Sequence, residues 1–254
     1  MEKMKNLLFT ILITFNLLLI STNSNANQDK PIDIKIKSKK SIINKIKSDS
    51  TIKTKNIKGF TIILNFDETK YSKETKYALA FLEQKLDKIT KIVKTKQLKI
   101  LKEVPIWVEW ELLKDKAMCY HPSKEWLVSN GYPAEKEKSV EITNLRNFVT
   151  WQKLNQPYMV LHEFAHAYHD KTLGFNNLQV MNAYENAVSS KKYQNVEYNL
   201  GGKKSHYALT NEKEYFAELT ESYLGENDFY PYNKAQLKDF DPIGYELMED
   251  VWGK

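Results

Sequence analysis

The feature that most constrains this chain is the segment from Leu161 to Tyr168, which reads Leu-His-Glu-Phe-Ala-His-Ala-Tyr. On a helix, His162 and His166 are one turn apart and face the same side, about 6 Å apart at Cβ, so both imidazoles can reach one ion. Glu163 lies beside them without competing as a ligand. The remaining residues are apolar, which is typical of a buried helix and not of a surface helix. Two imidazoles, an adjacent carboxylate and apolar surroundings predict a zinc site with hydrolytic chemistry.

The N-terminus has the pattern of an export signal. Lys3 and Lys5 precede an apolar run from residue 7 to residue 20, and small polar residues follow as far as Ala26. A basic start, an apolar stretch of about 14 residues and a small-residue exit predict a secretory signal peptide over residues 1–26. A spanning helix needs about 20 apolar residues, so stable membrane insertion after cleavage is not expected. We therefore expect a secreted or periplasmic protein, cleaved near Ala26.

Residues 27–58 form a basic arm with ten lysines, three aspartates and no aromatic residue. This composition is typical of a solvated linker. The whole chain carries a net charge of +6, so the arm accounts for the basic balance and residues 59–254 are slightly acidic. Nucleic acid is therefore not an expected partner. Because Cys119 is the single cysteine, an internal disulfide is excluded and the core alone must hold the fold.

The remaining pattern predicts one α+β domain over residues 59–254, with a small mixed sheet followed by a helical C-terminal half. Strands are predicted from Phe60 to Phe66, from Val104 to Trp110 and from Ser139 to Thr143. The last of these is expected at the edge of the sheet, and the stretch from residue 117 to residue 134 is expected to be irregular. Helices are predicted from Ser72 to Val93, from Pro157 to Leu173, from Asn177 to Lys191, from Asn211 to Gly225 and from Pro242 to Trp252.

A catalytic zinc ion takes three protein ligands and keeps one position open, so a third ligand must come from elsewhere in the chain. Glu214, Glu218 and Glu221 fall on one stripe of a predicted helix, amid residues that would otherwise be core. Glu214 is the predicted third ligand, and Glu218, one turn later, is the predicted partner that orients a ligating histidine from behind. Cys119 remains an alternative ligand.

These segments resemble a known family. The motif His162-Glu163-Phe164-Ala165-His166, together with the segment Tyr-Ala-Leu-Thr-Asn-Glu-Lys-Glu-Tyr-Phe-Ala-Glu at 207–218, resembles the catalytic domain of anthrax lethal factor and its gluzincin relatives. The resemblance covers roughly residues 139–224. It implies a zincin-like metallopeptidase domain in which Zn²⁺ is bound by His162, His166 and Glu214. It also implies that Glu163 is the general base, that Glu218 is an outer partner of the ligands and that Tyr207 meets the oxyanion.

The implied reaction is hydrolysis of a peptide bond in a peptide or protein substrate. Glu163 would take a proton from the attacking water, and Tyr207 would stabilise the negative oxygen that develops. His206 adjoins Tyr207 and is the alternative stabilising group. The predicted edge strand, residues 140–143, either receives an extended peptide as an added strand or is an ordinary sheet edge.

Two other functions are compatible with the same residues. One is a catalytically silent binding protein on the cell surface that zinc stabilises. The other is a zinc hydrolase that acts on non-peptide amides. The presence of both Glu163 and Tyr207 argues against the silent protein, because a site without catalytic activity would be expected to lose one or both.

Overall fold

The computed structural model describes residues 52–253. The predicted signal peptide, its cleavage near Ala26 and the arm up to residue 51 lie outside the described residues. Within residues 52–253, no helix is both long enough and apolar enough to cross a membrane. The architecture is α+β, with a mixed five-stranded sheet, a small two-stranded sheet and a C-terminal part dominated by helices.

The main sheet has the strand order β1-β2-β3-β5-β4. Its strands are β1 (Lys53–Ile57), β2 (Phe60–Leu64), β3 (Ile106–Val108), β4 (Met118–His121) and β5 (Ser139–Ile142). Strands β2, β3 and β5 are parallel to one another, whereas β1 and β4 run antiparallel at the two edges. The three predicted strands are thus confirmed in position, and each is shorter than predicted. Two short strands, β6 (Val196–Glu197) and β7 (Lys203–Lys204), form the second sheet.

The folded part begins before Gly59, where the sequence alone places its start. Residues Lys53–Ile57 pair antiparallel with Phe60–Leu64 across a turn in which Lys58 and Gly59 both have positive φ. The Asn56 side chain accepts a hydrogen bond from the Gly59 N–H at 3.1 Å. Strand β1 is an edge strand with polar, mostly exposed side chains, so it carries little hydrophobic pattern. Because its composition is also that of the arm, the sequence alone does not separate the strand from the arm.

Strand β5 exists as predicted, but it does not lie at the edge of the sheet. Strand β4 pairs with its outer side, with Tyr120 opposite Val140. The expectation that residues 140–143 receive a peptide is therefore wrong, because β4 already occupies that side. The stretch 117–134 is also not irregular throughout, since it contains β4. A strand of four residues shows too few alternations to be recognised from its period.

The helices of residues 52–253 account for most of the remaining chain. They are α1 (Ser72–Ile92), α2 (Thr95–Lys102), α3 (Lys124–Ser129), α4 (Leu145–Leu154), α5 (Met159–Tyr168), α6 (Leu178–Ser190), α7 (Glu212–Leu224), α8 (Lys234–Phe240) and α9 (Pro242–Trp252). A π-helical turn, His169–Leu173, continues α5 up to Gly174. The five predicted helices correspond to α1, α5, α6, α7 and α9. The other four have ten residues or fewer, too short for a 3.6-residue period to stand out.

Helix α5, which carries the motif, is an internal element. It packs against α7, β4 and β5, and Phe164 stacks on Phe60 of β2 with ring centroids 5.2 Å apart. Leu161 and Ala165 are fully buried in the same core, as is Phe216 of α7. Apolar contacts therefore fix α5 and α7 relative to each other, and the polar groups of the motif line a cavity beside the helix. The prediction of a buried motif helix is confirmed.

Candidate metal centre

The two histidines of α5 converge on one point. His162 and His166 lie one turn apart, and their Nε2 atoms are 3.1 Å from each other. Their rings are nearly perpendicular, with centroids 4.7 Å apart. Both side chains are mostly buried, and both line a cavity beside the helix. The i, i+4 spacing thus has the consequence that the sequence predicts.

Glu214 reaches the same point from α7. Asn211 caps this helix, since its Oδ1 accepts hydrogen bonds from the N–H groups of Lys213 and Glu214, which fixes Glu214 in the first turn. The Glu214 Oε2 atom lies 3.1 Å from His162 Nε2 and 3.3 Å from His166 Nε2. The fold therefore brings the predicted third ligand to both predicted histidines, across 52 residues of sequence.

The three donor atoms have the spacing that a tetrahedral ion requires. Bonds of about 2.0–2.1 Å at tetrahedral angles place ligand atoms roughly 3.3 Å apart, and the observed separations are 3.1, 3.1 and 3.3 Å. Burial raises the pKa of Glu214, but His166 and His162 outweigh burial and hold that pKa well below its usual range. The carboxylate is therefore available as an anion. These residues fit a bound metal ion, and the cluster is one that could hold such an ion.

Glu163 lies beside the cluster without joining it. Its side chain is buried, and burial raises its pKa, while the charges of His166 and His162 offset this only in part. The backbone of Tyr120, in strand β4, also lowers this pKa. Glu163 lines the same cavity as the three donor atoms. A carboxylate with a raised pKa at the wall of such a cavity is suited to accepting and passing on a proton.

The carboxylates behind His162 are arranged differently from the prediction. Glu221 Oε1 lies 2.7 Å from His162 Nδ1, whereas the predicted partner, Glu218, lies 3.5 Å from that nitrogen. Glu218 instead accepts a hydrogen bond from Asn227 Nδ2 at 2.9 Å, and burial and the Glu221 charge raise its pKa. Glu221 is therefore the group that sequence reasoning missed. The sequence does hold a signal for Glu221: it lies on the same stripe, seven residues after Glu214, and two turns of helix return a side chain to the same face.

The two candidates for oxyanion stabilisation occupy different surroundings. Tyr207 lines the cavity, with its ring centroid 6.4 Å from that of His162, and burial raises the pKa of its phenol, so the hydroxyl keeps its proton. His206 is buried and stacks on Phe229, and its Nδ1 accepts a hydrogen bond from the Ala208 N–H at 3.1 Å. Burial lowers the pKa of His206 to about 3. Of the two, Tyr207 is therefore the one that faces the cavity.

The edge strand β4 forms one wall of the cavity, which has a volume of about 190 Å³. Met118 and Tyr120 are among the lining residues. The Tyr120 hydroxyl donates a hydrogen bond to Asp170 Oδ2 at 2.7 Å, and Lys138 Nζ forms an ion pair with the same oxygen at 2.6 Å. Because Asp170 belongs to the π-helical turn after α5, these contacts hold the edge strand beside the motif helix.

Cys119, the alternative ligand, is not part of the cluster formed by His162, His166 and Glu214. Its sulfur lies 3.6 Å from His121 Nε2, in a separate group with Glu141. The third donor beside the two histidines is therefore the Glu214 carboxylate and not the Cys119 thiolate.

The site combines three convergent donor atoms, a buried carboxylate beside them and a tyrosine in the wall of the same cavity. This set could bind a divalent cation, transfer a proton and stabilise a developing negative charge. Comparisons with protein-family models, with curated proteins and with solved structures found no match for this chain.

Proposed function

We propose that this chain is an exported zinc-dependent peptidase of the gluzincin type, with a zincin-like domain. The observation that carries the proposal is the convergence of His162, His166 and Glu214 at separations of 3.1–3.3 Å, with Glu163 at the wall of the same cavity. Two imidazoles and one carboxylate, with a fourth position left to solvent, are the ligand set of many zinc hydrolases. The resemblance to the lethal factor catalytic domain supports the same function.

Each polar group has a definite task in this proposal. His162, His166 and Glu214 would hold Zn²⁺, which would supply a Lewis acid and lower the pKa of a water molecule. Glu163 accepts the proton of the attacking water and then passes it to the leaving amine. Burial raises the pKa of Glu163 and so brings it closer to neutral pH, which favours both proton transfers.

Tyr207 acts on the substrate carbonyl. Its hydroxyl is protonated and lies at the cavity wall, so it can donate a hydrogen bond to the carbonyl oxygen as negative charge develops there. A donor placed in this way stabilises the transition state more than the ground state.

The substrate class follows from strand β4, which forms one wall of the cavity. Strand β4 is the outermost strand of the sheet on this side and lines the cavity. An exposed strand edge offers backbone groups to an extended chain, which can add as a further strand. We therefore propose a peptide or a protein segment in extended form as substrate, lying along Met118–His121 and not along the strand that the sequence predicted.

The first test is digestion of a peptide library with and without a metal chelator. Cleavage should require metal, and Glu163→Gln should reduce the cleavage rate by about 10²–10⁴-fold while the metal content stays unchanged. Glu185→Gln is a matched control, because Glu185 is an exposed glutamate on α6. A variant Glu163→Gln with wild-type activity would refute the assignment of the base.

The second test combines metal content with cleavage activity to separate the peptidase from its alternatives. Glu214→Ala should lose the bound ion, because the site would keep only two ligands. If wild-type protein binds zinc stoichiometrically and cuts no peptide, the zinc-stabilised binding protein replaces the peptidase. Cleavage of small acyl amides without cleavage of peptides would instead favour the hydrolase of non-peptide amides.

A further inference from the structure

A second group of ligand-type side chains lies on the other face of the sheet from helix α5. Cys119 and His121 are two residues apart in β4, so both point to the same face. Glu141 of β5 is paired with Cys119 in the strand register, and it shares this face. Their neighbours Tyr120 and Val140 belong to the core that contains α5. The alternation of the strand therefore separates this group from the His162–His166–Glu214 centre.

The distances within the group approach those of a metal site. Cys119 Sγ lies 3.6 Å from His121 Nε2 and 4.0 Å from Glu141 Oε2, and the latter two atoms are 2.7 Å apart. A tetrahedral ion with a bond of about 2.3 Å to sulfur and about 2.0 Å to nitrogen and oxygen would place the sulfur roughly 3.5 Å from the other two atoms. The His121–Glu141 pair would have to open slightly, and the Cys119 sulfur would have to move slightly closer to Glu141. We propose that Cys119, His121 and Glu141 form a second metal site, separate from the catalytic one.

The group lies among other buried charged side chains. Lys136 is fully buried and is shared by two buried carboxylates, with its Nζ 2.6 Å from Glu109 Oε1 and in contact with Glu141 Oε1. One lysine thus faces two carboxylates, and His121, whose Nε2 lies 2.7 Å from Glu141 Oε2, is the second group of the cluster that can carry positive charge. The other oxygen of Glu141, Oε2, is the one that points to His121 and Cys119. A metal ion bound there would replace the proton that His121 shares with Glu141.

The donor set determines the class of ion. A thiolate with an imidazole and a carboxylate suits zinc and other borderline or soft transition metals, whereas Mg²⁺ and Ca²⁺ prefer oxygen ligands alone. His121 and Glu141 are buried, but Cys119 is only partly buried, so an ion can enter from the solvent side. An ion bound here would link β4 to β5 at the point where β4 lines the catalytic cavity.

The test uses Co²⁺ as a spectroscopic substitute for zinc in the full chain. Because Cys119 is the single cysteine, a thiolate-to-cobalt charge-transfer band in the near ultraviolet can come only from this site. Wild-type protein should bind two Co²⁺ ions per chain and show this band. Cys119→Ser, a partly exposed position at which the smaller atom should be tolerated, should lose the band and one of the two ions.

Glu214→Ala keeps the test independent of the proposed peptidase. This variant should lose the other ion and retain the charge-transfer band in full. If wild-type protein shows no such band with excess Co²⁺ at mildly alkaline pH, the second site does not exist, whatever happens at the first. Retention of two ions by Cys119→Ser would likewise overturn the proposal.

Discussion

At the scale of single residues, the proposed mechanism divides proton transfer and charge stabilisation between two side chains on different elements. Glu163 lies on the motif helix and Tyr207 on the 3₁₀ turn Tyr207–Leu209 before α7. Burial raises the pKa of both groups. For the carboxylic acid this strengthens its ability to take a proton, and for the phenol it ensures that a proton is present to donate.

Tyr207→Phe should lower kcat by about 10²–10³-fold and change KM little, since the hydroxyl contributes mainly in the transition state. Steady-state kinetics on a peptide that the wild type cleaves would measure both constants. Tyr77→Phe removes a hydroxyl from an exposed ring and is the matched control. An unchanged kcat in Tyr207→Phe would exclude the tyrosine as the stabilising group.

The carboxylates behind His162 allow a second prediction. Because Glu221 is closer to His162 Nδ1 than Glu218 is, at 2.7 Å against 3.5 Å, Glu221→Gln should weaken metal binding more than Glu218→Gln does. Removal of such an outer partner typically costs about 10–100-fold in metal affinity. Competition with a chromophoric chelator would rank the two variants, and the reverse order would restore Glu218 to the orienting role.

At the scale of elements, the start of α7 determines whether the site is complete. Asn211 Oδ1 accepts two backbone hydrogen bonds, one of them from Glu214 itself. Apolar side chains hold the rest of α7 in the core, so the first turn depends on its cap more than the later turns do.

Asn211→Ala should therefore reduce both stability and metal affinity. The loss of a cap costs about 0.5–2 kcal/mol, and fraying of the first turn would displace Glu214. Asn177→Ala is the control, because Asn177 caps α6 in the same way, by accepting from the Val180 N–H, at a helix that carries no ligand. Urea unfolding should show similar costs for the two variants, while metal titration should separate them. Equal metal affinities would show that the cap does not position Glu214.

At the scale of the whole molecule, two buried histidines make stability depend on pH. His169 and His206 are buried, and both ring nitrogens of His169 and Nε2 of His206 have no hydrogen-bond partner among the described residues. Burial lowers the pKa of His169 from 6.5 to about 4 and that of His206 to about 3. Both side chains are therefore neutral in the folded protein at neutral pH.

The free energy of unfolding should fall as the pH drops from 6.5 towards 4. Both histidines have a lower pKa folded than unfolded, so the unfolded chain binds more protons in this range, and each contributes at most about 1.4 kcal/mol per pH unit. Urea unfolding with chelator present, at several pH values, would measure the slope. His169→Phe should flatten it, since the ring contacts with Phe175 and Phe216 tolerate an apolar ring. A slope unchanged in this variant would exclude His169 as a source of the effect.

Residues close together in the sequence were sufficient to predict the histidine pair, Glu163 and the helices α1, α5, α6, α7 and α9. Helical periodicity and capping are local properties, because they depend on contacts within a few residues. The structure brings Glu214 within 3.1–3.3 Å of the two histidines, where the sequence leads one to expect it. That expectation rests on a stripe of glutamates among core residues and on a resemblance, since no local rule relates residues 52 positions apart.

The order of the strands was decided only by tertiary structure. The place of β4 at the edge depends on which strand pairs with β5, and a four-residue segment carries no signal for its partner. The choice of Glu221 over Glu218 depends on how α7 is rotated against α5, and packing of their apolar faces sets that rotation. The grouping of Cys119, His121 and Glu141 likewise needs the β4–β5 register. The sequence by itself determined the donor types and their helices, whereas the packing of the core decided which donor atoms meet, because contacts between distant residues form only when the apolar faces are buried together.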